Sequence, residues 1–309
     1  MSAVDSALTR APAARPALPM LWVNGHRVDT STPHLSPLDR GFTLADGLFE
    51  TMRIANGVVF RLAQHLARLA AGARVLAIEL PPWLPDMVRD AVNEARAAGL
   101  AEGSARLTVS RGVGAPGLAP PPVGETRPTV VLTIAQLPAI APTTYTQGLT
   151  AHIARGRRNE HSPTSGVKVL AYTDNVLALA AARAADADDA LWLDTAGHVA
   201  EATASNIFLR LGDTLVTPPL GCGVLPGITR RAVIELAPAL GLTVAERVVE
   251  GAELHDATEA FLTSSLRGVA PLVRVDGRAI GSGTVGPVTQ RIMHAYAALV
   301  HRECEEGAR

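Results

Sequence analysis

The alternation of apolar and polar residues predicts β-hairpins followed by helices in the first part of the chain. Apolar residues flank Asn24-Gly25 and again Asn56-Gly57, and an Asn-Gly pair between two apolar runs is typical of a hairpin. Apolar residues then recur every three or four positions over 62–76 and over 84–95, which predicts two helices that each bury one stripe. We therefore expect an antiparallel sheet covered by helices at this end.

Strands and helices continue to interleave to the end of the chain. Further strands are predicted at 105–110, 129–135, 149–154, 242–249 and 259–264, with a strand pair around 194–197, and further helices are predicted at 172–184, 228–240 and 288–301. They do not follow a regular strand-helix-strand rhythm, so the pattern favours an α+β fold with two subdomains over a doubly wound sheet. We predict a small N-terminal domain over 20–136, a linker over 137–145 and a larger domain over 146–309.

Composition indicates a globular protein with a small-molecule partner. Of the 309 residues, 48% are hydrophobic and 18% are charged, the profile of a folded chain. No apolar run approaches the roughly 18 residues of a membrane span, and residues 1–19 form an Ala/Pro-rich tail that we expect to be disordered. A net charge of −1 gives no footprint for nucleic acid. The two cysteines, Cys222 and Cys304, are too few for a disulfide framework and fit a cytoplasmic location.

The count of lysines singles out one residue. Of the 28 basic residues, only Lys168 is a lysine, and the other 27 (28 − 1) are arginines. An arginine serves wherever a fixed positive charge suffices, but it cannot supply an amine that loses its proton. Lys168 is therefore a candidate for amine chemistry, although composition alone leaves a chance surface lysine about equally credible.

Two motifs suggest other chemistries and fit them poorly. Residues 112–117 spell G-x-G-x-x-G, but the prolines that follow cannot open the helix that a dinucleotide site needs. Residues 165–168 spell S-x-x-K of acyl-serine enzymes, yet the accompanying K-T-G is impossible in a chain with one lysine. An acyl-serine enzyme using Ser165 stays open as a remote alternative. The nine histidines include no H-x-x-x-H pair, so no metal site is predicted.

Three short segments have the residue types of an anion site and of a partner for a cation. Gly227, Ile228 and Thr229 introduce an amphipathic helix, where free backbone N–H groups and a hydroxyl can hold a phosphate. Ser264 and Ser265 add hydroxyls at the end of a predicted strand. Glu201 lies beside the apolar run 207–209 and is either a surface charge or a buried partner for a cationic nitrogen.

Several blocks together resemble the class IV aminotransferases, the fold-type IV pyridoxal-phosphate enzymes. The blocks appear in the family's order and cover the chain from about Leu21 to the last helix. They are Leu38–Phe42 with Asp46–Thr51, Arg61 with His65 and Arg68, Gly166–Leu170 with Asn175–Ala178, Glu201–Phe208, Gly223–Thr229, and Phe261–Leu272. The resemblance of any one block to the family is weak evidence, but six blocks in the same order make the resemblance specific.

The resemblance implies a barrel-like larger domain, a homodimer and a cofactor site. Lys168 would hold pyridoxal 5'-phosphate as a Schiff base and act as the catalytic base, while Glu201 would hold the proton of the pyridine nitrogen. The phosphate would be bound by six residues of the matching blocks, namely Arg61, Gly227, Ile228, Thr229, Ser264 and Ser265. Arg111 and Tyr172 are the candidates for contacting the small amino substrate.

Within the family, the chain looks most like the 4-amino-4-deoxychorismate lyases, which release pyruvate and 4-aminobenzoate for folate synthesis. Asp39-Arg40-Gly41 and the loop over 110–118 carry that likeness, although Pro116 stands where those lyases often have an arginine. Thr173 replaces the tyrosine that is usual in branched-chain aminotransferases, and the Arg-x-His clamp of the D-amino acid enzymes is absent. An aminotransferase of D-amino or branched-chain amino acids is the alternative.

Overall fold

The computed structural model describes residues 19–122 and 124–307, so the predicted tail lies outside the described residues except for Pro19. A six-stranded antiparallel sheet forms the N-terminal part, with the order β2-β1-β6-β5-β3-β4. Its strands are β1 (Met20–Val23), β2 (His26–Val28), β3 (Gly47–Ala55), β4 (Val58–Val59), β5 (Gly103–Ser110) and β6 (Thr129–Gln136). Both predicted hairpins are confirmed, since β1 pairs with β2 and β3 pairs with β4 across the Asn-Gly turns.

A second, mixed sheet of nine strands follows, with the order β12-β11-β10-β13-β14-β7-β8-β9 and β15 paired to β14. Its strands are β7 (Leu149–Ile153), β8 (Asp189–Leu193), β9 (Val199–Ala202), β10 (Asn206–Leu211), β11 (Thr214–Thr217), β12 (Thr243–Glu246), β13 (Glu259–Ser264), β14 (Gly268–Val275) and β15 (Arg278–Ala279). The pairs β11–β12, β14–β7 and β7–β8 are parallel. The curled mixed sheet beside the antiparallel one confirms the predicted α+β, barrel-like fold.

Helices cover both sheets. They are α1 (Arg40–Leu44), α2 (Leu62–Leu76), α3 (Leu84–Ala97), α4 (Thr143–Thr146), α5 (Thr173–Ala184), α6 (Ile228–Leu236) and α7 (Pro287–Glu306). The stripe predicted on α3 is buried as expected. The helix predicted over 228–240 ends at Leu236 and continues as a 3-10 turn over Ala237–Leu240, because Pro238 cannot donate a backbone hydrogen bond inside an α-helix. Within the described ranges, no helix combines the length and apolar character needed to cross a bilayer.

The chain around Lys168 joins the two sheets. The backbone N–H of Phe49 on β3 donates to the carbonyl of Lys168 at 3.0 Å, and the N–H of Leu170 donates to the carbonyl of Gly47 at 3.0 Å. These two bonds attach the lysine segment to the N-terminal end of β3. The side chain of Lys168 is thereby fixed at the junction between the sheets.

Candidate active site

A cavity of about 530 Å³ lies at the junction of the two sheets. It is lined by side chains from the small sheet, the linker and the large sheet: Phe49, Thr51, Arg68, Arg106, Pro138, Ile140, Lys168, Tyr172, Glu201, Thr203, Ala204, Ser205, Asn206, Leu225, Gly227, Ile228, Thr229, Thr263, Ser264, Ser265, Leu266 and Arg267. Seven of the eight cofactor-site residues predicted from sequence are among them, Arg61 being the exception. A cleft between two parts of a fold, walled by both apolar and polar groups, is the usual form of a small-molecule site.

Lys168 presents its amine to this cavity in an aromatic setting. Its Nζ lies 4.4 Å from the centre of the Phe49 ring and donates a 3.3 Å hydrogen bond to the hydroxyl of Tyr172. The Tyr172 and Phe49 rings meet edge to face with centroids 5.0 Å apart. Burial lowers the pKa of Lys168 to about 8 and raises the pKa of Tyr172 to about 12. The amine can therefore lose its proton near neutral pH, whereas the phenol stays a neutral donor or acceptor.

Glu201 on β9 is bound by three donors. Arg158 donates from Nη2 to Oε1 at 2.5 Å, while Oε2 accepts from the Asn206 amide at 3.1 Å and from the backbone N–H of Leu225 at 2.9 Å. The Glu201 side chain is 8% exposed. A buried carboxylate fixed in this way can keep a proton on a nearby ring nitrogen, which is the role expected for it.

The N-terminus of α6, where the sequence predicts an anion site, lines the same cavity. Gly227 is the N-cap with an extended backbone and makes no side-chain capping bond, so the first N–H groups of the helix are available to an anion. Thr229 lines the cavity, and its hydroxyl lies 3.3 Å from that of Tyr296. The Thr263 hydroxyl is buried without a hydrogen-bond partner among the described residues. Since buried hydroxyls are rarely left unpaired, a ligand oxygen is the natural partner.

Arg61 is not part of the cavity, and this prediction is corrected. Its guanidinium binds Glu235 on α6 at 2.8 Å and Glu303 on α7 at 3.0 Å, so its charge is already neutralised by two carboxylates. Arg61 also has a left-handed backbone as the N-cap of α2. The side chain consequently joins helices and does not reach the anion site.

Arg68, two turns further along α2, lines the cavity together with Arg106 and Arg267. Its Nη1 donates to the carbonyl of Pro226 at 2.9 Å, directly before the helix cradle. Its Nε and Nη2 bind both oxygens of Glu50, which also accepts from His65 at 2.8 Å. Burial would raise the pKa of Glu50, but these hydrogen bonds lower it to about 2. Glu50 therefore stays charged and fixes the Arg68 guanidinium beside the anion site.

Of the two residues predicted to contact the substrate, only one lines the cavity. Tyr172 lines the cavity, but Arg111 lies elsewhere, because its guanidinium binds both oxygens of Asp46 and the carbonyls of Leu76 and Ala77. Arg111 therefore braces the loop against α2, and its assignment to the substrate is corrected.

Arg106 on β5 is a cavity arginine that was not predicted from the sequence. Its Cζ lies 3.9 Å over the Phe49 ring, and its guanidinium makes no hydrogen bond or ion pair with the described residues. The strand alternation offered a signal, since Ala105, Leu107 and Val109 are fully buried in the core. Residue 106 must then point to the opposite face of the sheet.

Ser165, the nucleophile of the remote acyl-serine alternative, does not line the cavity of Lys168. It lies in a neighbouring cavity of about 270 Å³, which shares Tyr172, Glu201 and Leu225 with the first. The S-x-x-K match therefore does not place the serine hydroxyl beside the lysine amine.

Most of the chain matches one known protein family. Residues 47–275 match the family Amino-transferase class IV, so the chain belongs to the class IV aminotransferases. These are pyridoxal-phosphate-dependent enzymes, and the prediction of an enzyme with this cofactor is confirmed.

Individual relatives within that family carry several different activities. A protein assigned as a branched-chain-amino-acid aminotransferase in Methanocaldococcus jannaschii is 34% identical over 276 residues, which is 89% of this chain and 94% of the relative. The D-alanine aminotransferase of Bacillus licheniformis is 32% identical over 286 residues, covering 88% and 94%. The names of these two relatives therefore point to different amino substrates.

Solved structures that resemble this chain also have more than one activity. The branched-chain amino acid aminotransferase of Escherichia coli has a TM-score of 0.86 at 27% identity, covering 92% of this chain and 95% of that one. The 4-amino-4-deoxychorismate lyase of Pseudomonas aeruginosa has a TM-score of 0.79 at 34% identity, covering 91% and 99%. The fold is common to aminotransferases and a lyase.

The residues of the cavity fit pyridoxal 5'-phosphate. Lys168 supplies an amine for covalent attachment, Glu201 supplies a carboxylate for the ring nitrogen, and the α6 N-terminus supplies N–H groups for the phosphate. The unpaired Thr263 hydroxyl in the same wall adds a donor for a phosphate oxygen. A single cavity thus holds one group for covalent attachment of the cofactor, one for its ring nitrogen and one for its phosphate.

Proposed function

We propose that the chain acts on the amino group of a small carboxylate-bearing substrate, with Lys168 as the catalytic base. The observation that carries this proposal is the buried Lys168 amine, lowered in pKa to about 8, in one cavity with Glu201 and the α6 anion cradle. When bound, pyridoxal phosphate supplies an electron sink for negative charge at the amino-bearing carbon. Lys168 would move the proton at that carbon, and Glu201 would hold the proton at the ring nitrogen.

Arg106 is our candidate for the substrate carboxylate. It lines the cavity and stacks on Phe49, and it has no carboxylate partner of its own in the described structure. A guanidinium binds a carboxylate through paired, charge-assisted hydrogen bonds. Since Lys168 contacts the same Phe49 ring, a carboxylate on Arg106 would bring the amino-bearing carbon of the substrate toward the lysine.

Among the activities of its relatives, we propose 4-amino-4-deoxychorismate lyase as the one that describes this chain best. The match covers 99% of the lyase structure at 34% identity, against 27% identity for the solved branched-chain enzyme. Thr173 in place of a tyrosine after the lysine block supports the same choice. Transamination of D-amino or branched-chain amino acids is the second candidate, favoured by the names of the curated relatives.

Product analysis distinguishes the two. With 4-amino-4-deoxychorismate as substrate and no 2-oxo acid, a lyase forms pyruvate and 4-aminobenzoate in equal amounts. An aminotransferase needs a 2-oxo acid such as 2-oxoglutarate for turnover of D-alanine or leucine. Turnover that depends on the 2-oxo acid, with no pyruvate from 4-amino-4-deoxychorismate, would reject the lyase in favour of the second candidate.

Two variants test the proposed residues in either assay. Lys168→Ala should lower kcat by at least about 10²- to 10⁴-fold, the usual contribution of a positioned base. Arg106→Met should raise KM for the carboxylate-bearing substrate by more than it lowers kcat. An enzyme with unchanged turnover after Lys168→Ala would disprove the proposal as a whole.

A further inference from the structure

Three side chains from two separate segments meet at the turn between β8 and β9. They are Asp194, His198 and Cys222, and their ligand atoms all lie within 4.8 Å of one another. Asp194 and Cys222 are buried and His198 is partly buried. Within residues 19–122 and 124–307, this is the one group of three or more His, Cys, Asp or Glu side chains close enough to share a metal ion.

We propose that Asp194, His198 and Cys222 form a binding site for a divalent transition-metal ion of the zinc type. One carboxylate oxygen, one imidazole nitrogen and one thiolate are the donors that Zn²⁺ takes in proteins. Each donor atom would lie about 2.0–2.3 Å from the ion, which a cluster of this size accommodates. The site lies outside the cofactor cavity, and none of its three residues lines that cavity.

The atoms of Asp194 and His198 that point away from the cluster are already held in place. Asp194 Oδ1 accepts from the backbone N–H groups of Ala196 at 3.0 Å and His198 at 2.8 Å, which leaves Oδ2 facing His198 Nδ1 at 2.9 Å. On the far side of the ring, His198 Nε2 lies 3.5 Å from Glu250 Oε1. A ligating histidine whose other nitrogen binds a carboxylate, and a ligating carboxylate with its own donors, are typical of metal centres.

The surroundings are negatively charged and favour a cation. Glu250 stands on one side of the cluster, and Glu160 binds the hydroxyl and backbone N–H of Thr195, the residue after Asp194. Cys222 belongs to an apolar cluster of the core, and its thiol lies close enough to Asp194 to donate a hydrogen bond that a bound ion would replace. Cys304, the other buried cysteine, donates instead to the carbonyl of Val58 at 3.8 Å.

An ion at this point would cross-link the two segments that hold Glu201. His198 directly precedes β9, which carries Glu201, and Cys222 lies three residues before Leu225, whose N–H binds Glu201. The ion would thus fix the position of the Glu201 carboxylate without touching it. This role is independent of which amino substrate the enzyme takes.

The test measures zinc retained by the cofactor-loaded protein after equilibration with ZnCl₂ and gel filtration. We expect one zinc per chain in the wild type and loss of it in Cys222→Ser and His198→Gln. Cys304→Ser and His152→Gln are matched controls and should retain zinc, because Cys304 lies elsewhere and His152 pairs with Asp276 without a thiol. Glu250→Gln should weaken zinc binding by about tenfold, as expected for a group behind a ligating histidine.

X-ray absorption at the zinc edge then identifies the donors. One sulfur at about 2.3 Å with nitrogen and oxygen at about 2.0 Å supports the site. Wild-type protein that retains no zinc, equal retention in Cys222→Ser, or a spectrum without sulfur would overturn the proposal. Circular dichroism of each variant ensures that a loss of zinc is not a loss of folding.

Discussion

Burial of the Lys168 amine destabilises the folded chain at any pH at which the amine is protonated. Its pKa falls from 10.5 to about 8 in the folded state because of burial, so between about pH 8 and 10.5 the unfolded chain binds more protons than the folded one. Stability therefore rises with pH through that window, and the full cost is present below about pH 8. A cofactor attached to the amine, as we propose, would remove this cost.

Lys168→Met should thus stabilise the cofactor-free protein at neutral pH. We expect a gain of about 1–3 kcal/mol in the free energy of unfolding at pH 7, and a much smaller gain at about pH 10, where most of the folded-state amine is neutral. Urea titrations of the wild type and the variant at both pH values measure the difference. A gain of the same size at the higher pH would show that packing, and not the buried charge, is responsible.

Arg61 and Arg68 offer a matched pair at one helix. Arg68→Met should weaken pyridoxal-phosphate binding by about 10- to 100-fold, because a hydrogen bond to a charged group contributes roughly 1.5–3 kcal/mol. Arg61→Met should leave that affinity nearly unchanged and lower the melting temperature, since it removes the bonds to Glu235 and Glu303. Fluorescence titration with the cofactor and thermal unfolding give the two readouts. Weaker cofactor binding in Arg61→Met, with unchanged binding in Arg68→Met, would instead assign the phosphate to Arg61.

The assignments for Arg61 and Arg111 show what sequence could not decide at this scale. Lys168 was identifiable because no other residue offers an ε-amine, whereas many arginines share the same chemistry. Which arginine reaches the cavity depends on its acidic partners. Asp46 binds Arg111 outside the cavity, and Glu303 binds Arg61 outside it. Both acidic partners are distant in sequence from the arginines that they bind.

At the scale of elements, the start of α6 is the tightest part of the site. A methyl group on Gly227 would lie 2.0 Å from Oδ1 of Asn206, and Asn206 also binds Glu201. The absence of a side chain at Gly227 therefore lets the start of α6 approach Asn206 at the start of β10, and Asn206 in turn donates to Glu201 on β9. We therefore expect both ends of the proposed cofactor site to depend on this close contact.

Gly227→Ala should disturb both ends at once. We expect a loss of about 1–3 kcal/mol in stability from overpacking, together with weaker cofactor binding. Gly221→Ala is the control, because a methyl group there meets nothing within 4 Å and its backbone is not left-handed. Chemical denaturation and cofactor titration of both variants measure the effects. Normal cofactor affinity in Gly227→Ala would mean that α6 can shift without loss of the cradle.

Elements with a strong local signal were predictable from sequence. The Asn56-Gly57 turn has φ of 52° and 71° at its two residues, a left-handed conformation that asparagine and glycine tolerate best. The stripe of α3 is buried as its spacing predicts. The pairing of Leu48 with Val169 has no such signal, because it joins residues that are far apart in the chain, and yet it positions Lys168.

At the scale of the whole molecule, an exposed apolar surface lies beside the small sheet. Leu38, Phe42, Val113 and Leu118 are 59%, 79%, 49% and 84% exposed. Arg40 joins the segment of Leu38 and α1 to the loop of Val113 and Leu118, since its guanidinium donates to the carbonyls of Gly117 and Leu118 at 3.0 and 3.2 Å. Exposed apolar groups that cluster in this way mark protein interfaces.

This surface is where we expect the predicted homodimer to form. Phe42→Asp should convert the protein to monomers and reduce turnover, because a charge at the centre of an apolar interface opposes association. Val75→Asp changes an exposed valine on α2 and should have no effect on assembly. Sedimentation equilibrium gives the molar mass of each variant. A wild type that sediments at the 32.2 kDa of a single chain would rule out the dimer.

Because Lys168 is the only lysine of the sequence, labelling of side-chain amines is confined to one position. Reagents that acylate amines find, apart from the chain's N-terminus, a single ε-amino group, and it stands inside the cavity between the sheets. Modification at that position should be slow in the presence of the cofactor and fast after its removal. The ratio of unlabelled to labelled chains in a mass spectrum would consequently report the fraction of chains that carry the cofactor.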